Sequence, residues 1–203
     1  MIDFQKLYRL DGRTALVTGA GAGIGRATAH AFGQAGGLVA VTDIDLAAAK
    51  AVAEEIDGAR GYELDVADET AVNTVVDDVA RWHGRIDILV NNAGVGARAP
   101  TADLTADHWD KAMAVGPTGS FSAVRAAGRH MLKQKSGTVV NVASIMGLVG
   151  GAHYPNLAYH AAKGALVNMT RALACEWAKD GIRVNAVAPT FARTALTAPL
   201  MQD

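Results

Sequence analysis

Thr14-Ala15-Leu16-Val17-Thr18-Gly19-Ala20-Gly21-Ala22-Gly23-Ile24-Gly25 is the stretch whose reading decides the fold. It opens with a short apolar run and ends in alternating glycines. A helical pattern follows from about Ile24 to Gln34, closed by Gly36-Gly37 as a C-cap signal. A glycine turn between a strand and a helix lets the backbone approach a pyrophosphate, while the first amides of the helix point at the anion. The spacing is Thr18-Gly19-x-x-x-Gly23-Ile24-Gly25, not the bare G-x-G-x-x-G. A glycine-rich turn with no ligand is the plain alternative.

Outward from this turn, strands and helices alternate. A second apolar run, Leu38 to Thr42, ends at Asp43, and a helix is predicted from Leu46 to Ile56. A strand near Gly61 to Leu64 leads into Asp65-Val66, and Asp68 caps a helix running to about Trp82. Ile86 to Val90 is a fourth strand before Asn91-Asn92-Ala93-Gly94. Asp107 to Lys133 reads as a long helix interrupted at Gly116-Pro117. Thr138 to Val142 and Ile182 to Val187 are the fifth and sixth strands, with a helix from Leu157 to about Lys179 between them. Short Val/Ile/Leu/Ala strands separated by helices imply a parallel sheet covered on both faces. The expected architecture is α/β, a doubly wound parallel sheet in three layers (α/β/α), forming a single nucleotide-binding domain over residues 1–203.

Composition narrows the function classes. The 203 residues suffice for one domain with a sizeable core, and half of them are hydrophobic. Lys plus Arg number 19 against 20 for Asp plus Glu, so no electrostatic pull towards nucleic acid or an anionic membrane is expected. The single Cys175 cannot form an internal disulfide and is expected to be a packed helical thiol. Residues 1–13 contain charges and no long apolar segment, so neither a signal peptide nor a membrane span is read there, and a soluble cytoplasmic protein is expected. No His/Asp/Glu spacing suggests a metal.

Two local patterns carry chemistry. Tyr159 and Lys163 lie four apart in a helical run, a rise of about 6 Å on one face, so phenol and ammonium address one small volume. A phenol with an ordinary pKa of roughly 10 is a poor base at neutral pH. A nearby cation favours the phenolate and brings it towards acid/base work. Packing and solvation also put Tyr and Lys on one helix face, so the pair alone decides little. Asp43, at the end of the second strand, stands where an acid bonds the adenosine ribose hydroxyls. A carboxylate there repels a 2′-phosphate, and Ile44 offers no positive charge to hold one. NAD is therefore expected, with NADP less favoured. Asp43 also suits a cap for the next helix, and the two roles are compatible.

The chain resembles the short-chain dehydrogenase/reductase family along nearly all its length. The matching pieces are Thr18 to Gly25, Asp43, Asp65-Val66, Asn91-Asn92-Ala93-Gly94, Ser144, Tyr159-x-x-x-Lys163 and Val184-Asn185-Ala186-Val187-Ala188-Pro189. Arg9-Leu10-Asp11-Gly12 and Thr190-Phe191 to Thr194, by looser similarity, lean towards the polyol and sugar-alcohol dehydrogenases of that family. The resemblance implies a Rossmann fold with Ser144, Tyr159 and Lys163 as catalytic residues. Tyr159 would be the acid/base on the substrate oxygen. Lys163 would lower the Tyr159 pKa and bond the nicotinamide ribose, and Ser144 would hold the substrate oxygen. The implied cofactor-binding set is Gly19, Gly23, Ile24, Gly25, Asp43, Asp65, Val66, Asn92, Ala93, Gly94, Tyr159, Lys163, Pro189 and Thr194. Asn92 has a mostly structural role in this set, Asp65 reads nearly as well as a plain turn residue, and Thr194 equally resembles a helix N-cap before Ala195 to Leu200. Homo-oligomers, dimers or tetramers, are expected through the long helix and the Tyr159 helix. Phe121 to Ala127 and Ala165 to Trp177 supply that apolar surface, unless they simply pack on the sheet.

Three departures qualify the resemblance. Where family members have Val-Asn, with the Asn supporting a water that links the active-site Lys to solvent, this chain has Val115-Gly116 followed by Pro117. Thr190 stands where many members have Gly, and the chain stops at Asp203, before the usual substrate-covering helices and seventh strand. The seventh strand is accordingly expected to be absent, leaving Ile182 to Val187 an uncovered apolar edge, in either a shortened gene product or a fragment of a longer chain. Pocket walls are expected from Val95 to Pro100, Ile145 to Asn156 and Thr190 to Met201, where Arg98, His153, Tyr154 and Asn156 suit a small hydroxylated compound or serve as plain loop residues. The first reading is an NAD-dependent oxidoreductase interconverting a secondary alcohol and a ketone, on a polyol or sugar-like substrate. The alternatives are a catalytically impaired nucleotide-binding sensor or scaffold, and an NADPH-using acyl or ketone reductase that Asp43 disfavours.

Overall fold

The apolar runs become six parallel strands: β1 (Thr14–Thr18), β2 (Leu38–Asp43), β3 (Arg60–Glu63), β4 (Ile88–Asn91), β5 (Gly137–Val142) and β6 (Ile182–Val187). In the computed structural model, which describes residues 4–96, 98–151, 155–194 and 197–198, they form one sheet in the order β3-β2-β1-β4-β5-β6. The order reverses beside β1, and the register sets Leu16 opposite Ala40 on one side and Leu89 on the other. Ligand crevices of such sheets open at the carboxyl ends of the strands, at this reversal.

Seven α-helices accompany the sheet among the described residues: α1 (Phe4–Leu7), α2 (Gly23–Gln34), α3 (Leu46–Glu54), α4 (Glu69–His83), α5 (Ala106–Met113), α6 (Gly119–Gln134) and α7 (Leu157–Trp177). Alternate strand residues point to opposite faces. Leu16, Ala40, Leu89 and Val139 pack with Val72, Val76 and Val79 of α4 and with Val124 and Met131 of α6. Val17, Val39, Val41 and Val90 pack on the other face with Ala29 of α2 and Ala49 and Val52 of α3. Three helices begin at side-chain caps. Asp45 accepts from the amides of Ala47 and Ala48, Asp68 from those of Thr70 and Ala71, and Thr105 from that of His108.

Several expectations shift by a residue or two, for physical reasons. Ile86 is buried but gives its amide to Gln134 Oε1, so the ladder of β4 starts only at Ile88. The last turn of the Tyr159 helix tightens into a 3-10 turn over Ala178–Asp180, closed by Gly181 at φ 73. The expected interruption at Gly116-Pro117 takes the form of a change in helix type, not of a gap between helices. A π-helical turn, Ala114–Thr118, joins α5 to α6 and accommodates Pro117, whose ring nitrogen has no hydrogen to donate. Cys175 is exposed instead of packed, because its position on α7 faces away from the sheet. The sheet ends at β6, where Ile182 and Val184 are buried while Asn185, Ala186 and Val187 are exposed. The proposed helix Ala195 to Leu200 falls largely outside the described residues. No helix of the described residues is long and apolar enough to cross a membrane.

A buried polar network ties α7 to the sheet. Asn91 Nδ2 donates to Asn141 Oδ1 at 2.9 Å, and Asn141 Nδ2 donates to Thr170 Oγ1 at 2.9 Å. The Thr170 hydroxyl in turn donates to the Leu166 carbonyl at 2.7 Å. Asn141 is wholly buried, so neither neighbour has water to fall back on. Asn141→Ala is expected to destabilise the protein by about 2 kcal/mol. That corresponds to a drop of roughly 4–8 °C in melting temperature, readable by calorimetry. An unchanged melting temperature would mean that the network does not hold α7 in place.

Candidate active site

The glycine turn is built by exclusion. A Cβ at Gly25 would lie 2.3 Å from the Gly19 carbonyl oxygen and 2.5 Å from Asn92 Nδ2, so only glycine fits. Gly19 and Gly23 adopt φ of 61° and 56°, conformations that side chains disfavour. Asn92 clasps the turn from β4, its Nδ2 donating to the carbonyls of Thr18 and Gly19 at 2.9 Å each. Thr18 Oγ1 returns the contact by accepting from the amides of Asn92 and Ala93. This role of Thr18 was missed in the sequence, where a threonine closing a strand carries no distinctive signal. Ile24 lies in the first turn of α2, and the N-cap residue Ala22 makes no side-chain cap bond to that helix.

Asp43 sits beside this turn. Its Oδ2 accepts from the Gly21 amide at 2.9 Å and its Oδ1 from the Asp45 amide at 3.1 Å. The helix cap itself is Asp45, so the acid at the end of β2 is left for the turn and for whatever lies against it. Asp65 Oδ1 accepts from the Ala67 amide, the plain-turn arrangement, and Val66 is buried against Gly119 at the start of α6. Thr194 reaches over the glycine turn, where a Cβ on Gly23 would meet Thr194 Cγ2 at 3.3 Å. The Pro189 carbonyl accepts from the Ile145 amide, joining the segment after β6 to the one after β5.

These residues fit a dinucleotide. A Cβ at Gly19, Gly21 or Gly25 would clash, the amides at the start of α2 lack a side-chain cap, and a carboxylate closes the neighbouring strand. Such a cradle receives a pyrophosphate at the helix N-terminus and a ribose at the acid.

A cleft opens at the same sheet edge. Ser144, Asn156 and Tyr159 line it together with Arg98, Met146, Thr190 and Phe191. Ser144 Oγ also accepts from the Met146 amide at 3.2 Å, so the hydroxyl serves the local turn and still faces the cleft. His153 and Tyr154 lie outside the described residues. Among the described residues no group of His, Cys, Asp and Glu is arranged to hold a metal ion.

Lys163 lies behind Tyr159. Its Nζ is 5.6 Å from the centre of the Tyr159 ring and donates to the Val142 carbonyl at 2.6 Å. A Cβ on Gly94 would stand 3.5 Å from that nitrogen, so the loop after β4 covers it. α7 is held close at this point: Gly147 packs so tightly that a Cβ there would lie 2.6 Å from the Lys163 carbonyl oxygen. Gly116 meets the same helix, its would-be Cβ 3.1 Å from Ala162 Cβ. An Asn at 116 would therefore crowd the residue next to Lys163. Burial drives the Lys163 pKa down from 10.5 to about 8, since a 5% exposed ammonium has lost most of its hydration. The amine still holds its proton at pH 7.

A doubly wound sheet with a glycine cradle at its switch point places the chain in the dinucleotide-binding α/β class. Residues 13–203 match the family model described as short chain dehydrogenase. D-threitol dehydrogenase of Mycolicibacterium smegmatis is 41% identical over 199 residues, which are 96% of this chain and 75% of that protein. A crystal structure of an NAD+-bound xylitol dehydrogenase superposes with a TM-score of 0.86 at 37% identity, covering 90% of this chain and 71% of that one. A gluconate 5-dehydrogenase structure from Beutenbergia cavernae, described as putative, NAD(P)-dependent and carrying NADP at low occupancy, gives 0.89 at 40%, covering 97% and 79%. The chain belongs to the short-chain dehydrogenase family and is an oxidoreductase acting on CH–OH groups.

The lowered Lys163 pKa gives stability a definite pH dependence. Below pH 8 the amine is protonated in both folded and unfolded chains, and its burial penalty is fully present. Between about pH 8 and 10.5 the folded chain releases the proton first, so the unfolded chain binds more protons and stability rises with pH. The full effect is on the order of 3 kcal/mol. Melting temperature of the wild type minus that of Lys163→Met should therefore increase from pH 7.5 to 10. A flat or falling difference would refute the buried charge.

Proposed function

We propose that the chain is an NAD-dependent dehydrogenase interconverting a secondary alcohol and its ketone on a polyol or sugar-like substrate. The observation that carries this reading is the shared cleft of Ser144 and Tyr159 with the Lys163 amine directly behind it. The substrate hydroxyl loses its proton to Tyr159 Oη as the carbon gives up its hydride, and the reverse reaction returns it. Ser144 Oγ donates to the same substrate oxygen and steadies the charge that develops there. Lys163 keeps a positive charge near the phenol, favouring its ionised form. A bound nicotinamide dinucleotide supplies the hydride acceptor. Gly19, Gly23, Ile24 and Gly25 receive its pyrophosphate; Asn92, Ala93, Gly94, Pro189 and Thr194 flank its nicotinamide half; and Asp65 and Val66 line its adenine side.

Asp43 supports NAD over NADP. Its carboxylate bonds the Gly21 amide beside the cradle, and a 2′-phosphate brought there would meet like charge with Ile44 as neighbour. The names of relatives fit a hydroxylated substrate, since threitol and xylitol are both polyols. The exposed faces around Phe121 of α6 and Cys175 of α7 suit pairing of two copies, which sedimentation would reveal as a dimer or tetramer. Gly116 favours a second reading, a nucleotide-binding protein with impaired turnover, because the side chain that would hold a relay water is absent.

Turnover with a polyol panel and both cofactors separates the readings. NAD+ is expected to exceed NADP+ by at least about tenfold in kcat/KM, equivalent to about 1.4 kcal/mol. Asp43→Ala should narrow that ratio. Tyr159→Phe should lower kcat about 10²–10⁴-fold while NADH binding, followed by fluorescence, stays near wild type. Dinucleotide binding without turnover, insensitive to Tyr159→Phe, would favour the sensor, and turnover with NADPH alone would overturn the cofactor assignment.

A further inference from the structure

Asn156 is placed as an N-cap and does not act as one. It immediately precedes α7, yet its side chain makes no capping bond to the helix amides. Asparagine is among the best N-cap residues, and a cap bond contributes about 1 kcal/mol. Something else holds this residue. Its carbonyl accepts from the His160 amide at 3.1 Å and from His160 Nδ1 at 2.8 Å, which fixes the proton on that ring nitrogen. Its backbone, with φ at −156° and ψ at 50°, lies outside the helical region, and the residue is part of the cleft's lining.

The residue is 6% exposed, and its Oδ1 is buried with no hydrogen-bond partner among the described residues. A buried amide oxygen without a partner is destabilising by roughly 1–3 kcal/mol, so its presence beside Ser144 and Tyr159 calls for a ligand. The last torsion of an Asn side chain is broad, so a modest turn brings either amide atom to the cleft without moving the backbone.

On the reading of the site as a secondary-alcohol dehydrogenase, we propose that Asn156 is a specificity-determining residue that binds a second hydroxyl of the substrate, on the carbon next to the one oxidised. An alcohol group both donates and accepts, matching an amide, which does the same. An aliphatic substrate would leave the amide desolvated and unmet. Sites built to bond a hydroxyl reject analogues that lack it far more strongly than apolar pockets reject an extra methylene. The preferred substrate class is therefore vicinal diols over simple secondary alcohols.

The test compares 2,3-butanediol with 2-butanol, which differ by one hydroxyl, through kcat/KM with NAD+. Wild type should favour the diol, and Asn156→Leu should cut the diol-to-alcohol ratio by about tenfold or more. Asn156→Ser should cut it likewise while holding the melting temperature, because serine is a good cap but too short to reach the cleft. Taking the ratio within each variant cancels any general loss of activity. A ratio unchanged in both variants, or both substrates falling in parallel, overturns the inference. If neither alcohol turns over with either cofactor, the dehydrogenase reading fails, and titration of the enzyme–NADH complex with the diol, followed by NADH fluorescence, decides the subsite. Diol affinity equal in wild type and Asn156→Leu then overturns it, and weaker affinity in the variant sustains it.

Discussion

The absence of space at Gly25 is the constraint on which the crevice depends. The Gly19 carbonyl and the Asn92 amide occupy the volume that any side chain at 25 would need. Because those groups come from the turn after β1 and the loop after β4, the contact locks two strands and a helix together at the sheet's point of reversal. Thr18 and Asn92 then satisfy one another's backbone across the same gap. The cradle is thus shaped before any ligand arrives, so less ordering is needed on binding.

A comparable logic fixes the side chains proposed to react. Tyr159 and Lys163 belong to one helix, and their separation is set by helix geometry alone. Their position relative to Ser144 is set by what pins that helix. Gly147 sits against the Lys163 carbonyl with no room for a methyl group, and Ser144 is three residues before it on the same turn. Two turns further along, Thr170 is bonded to Asn141 of β5. The helix therefore cannot slide without breaking a buried polar bond or colliding with backbone. The price of this rigidity is a cation held out of water, and the Val142 carbonyl only partly offsets it.

How much of this was legible depends on whether a signal is local. The strand Ile182–Val187 and the cap Asp68 were readable because an apolar run and a helix-start signal declare themselves over a few residues. The glycine turn and the placement of Tyr159 and Lys163 on one helix were readable for the same reason. Gly116-Pro117 was legible as an interruption of the long helix but not as a π-helical turn, because local propensity does not record that Gly116 packs against Ala162. Cys175 looked packed because α7 is apolar over much of its length, and only the assembled sheet says which face is covered. The Asn91–Asn141–Thr170 chain joins residues 29 and 50 apart in sequence, so no window contains it. Asn156 was legible as a pocket wall but not as an unsatisfied cap, a distinction visible only in the hydrogen bonds its side chain leaves unmade among the described residues.

That distinction extends to the whole carboxyl edge of the sheet. The helices after β2 and β3 begin there with an aspartate over their first amides, Asp45 for α3 and Asp68 for α4. The helix after β1 has Ala22 in that place and the helix bearing Tyr159 has Asn156, and neither receives a side-chain cap. A carboxylate at a helix start uses the amides and the dipole that an anion would otherwise use. Stability alone would favour capping all four. The two exceptions stand one at the glycine cradle and one at the cleft that Asn156 lines, so the uncapped amides fall on the part of the edge where the crevice opens and the capped ones do not.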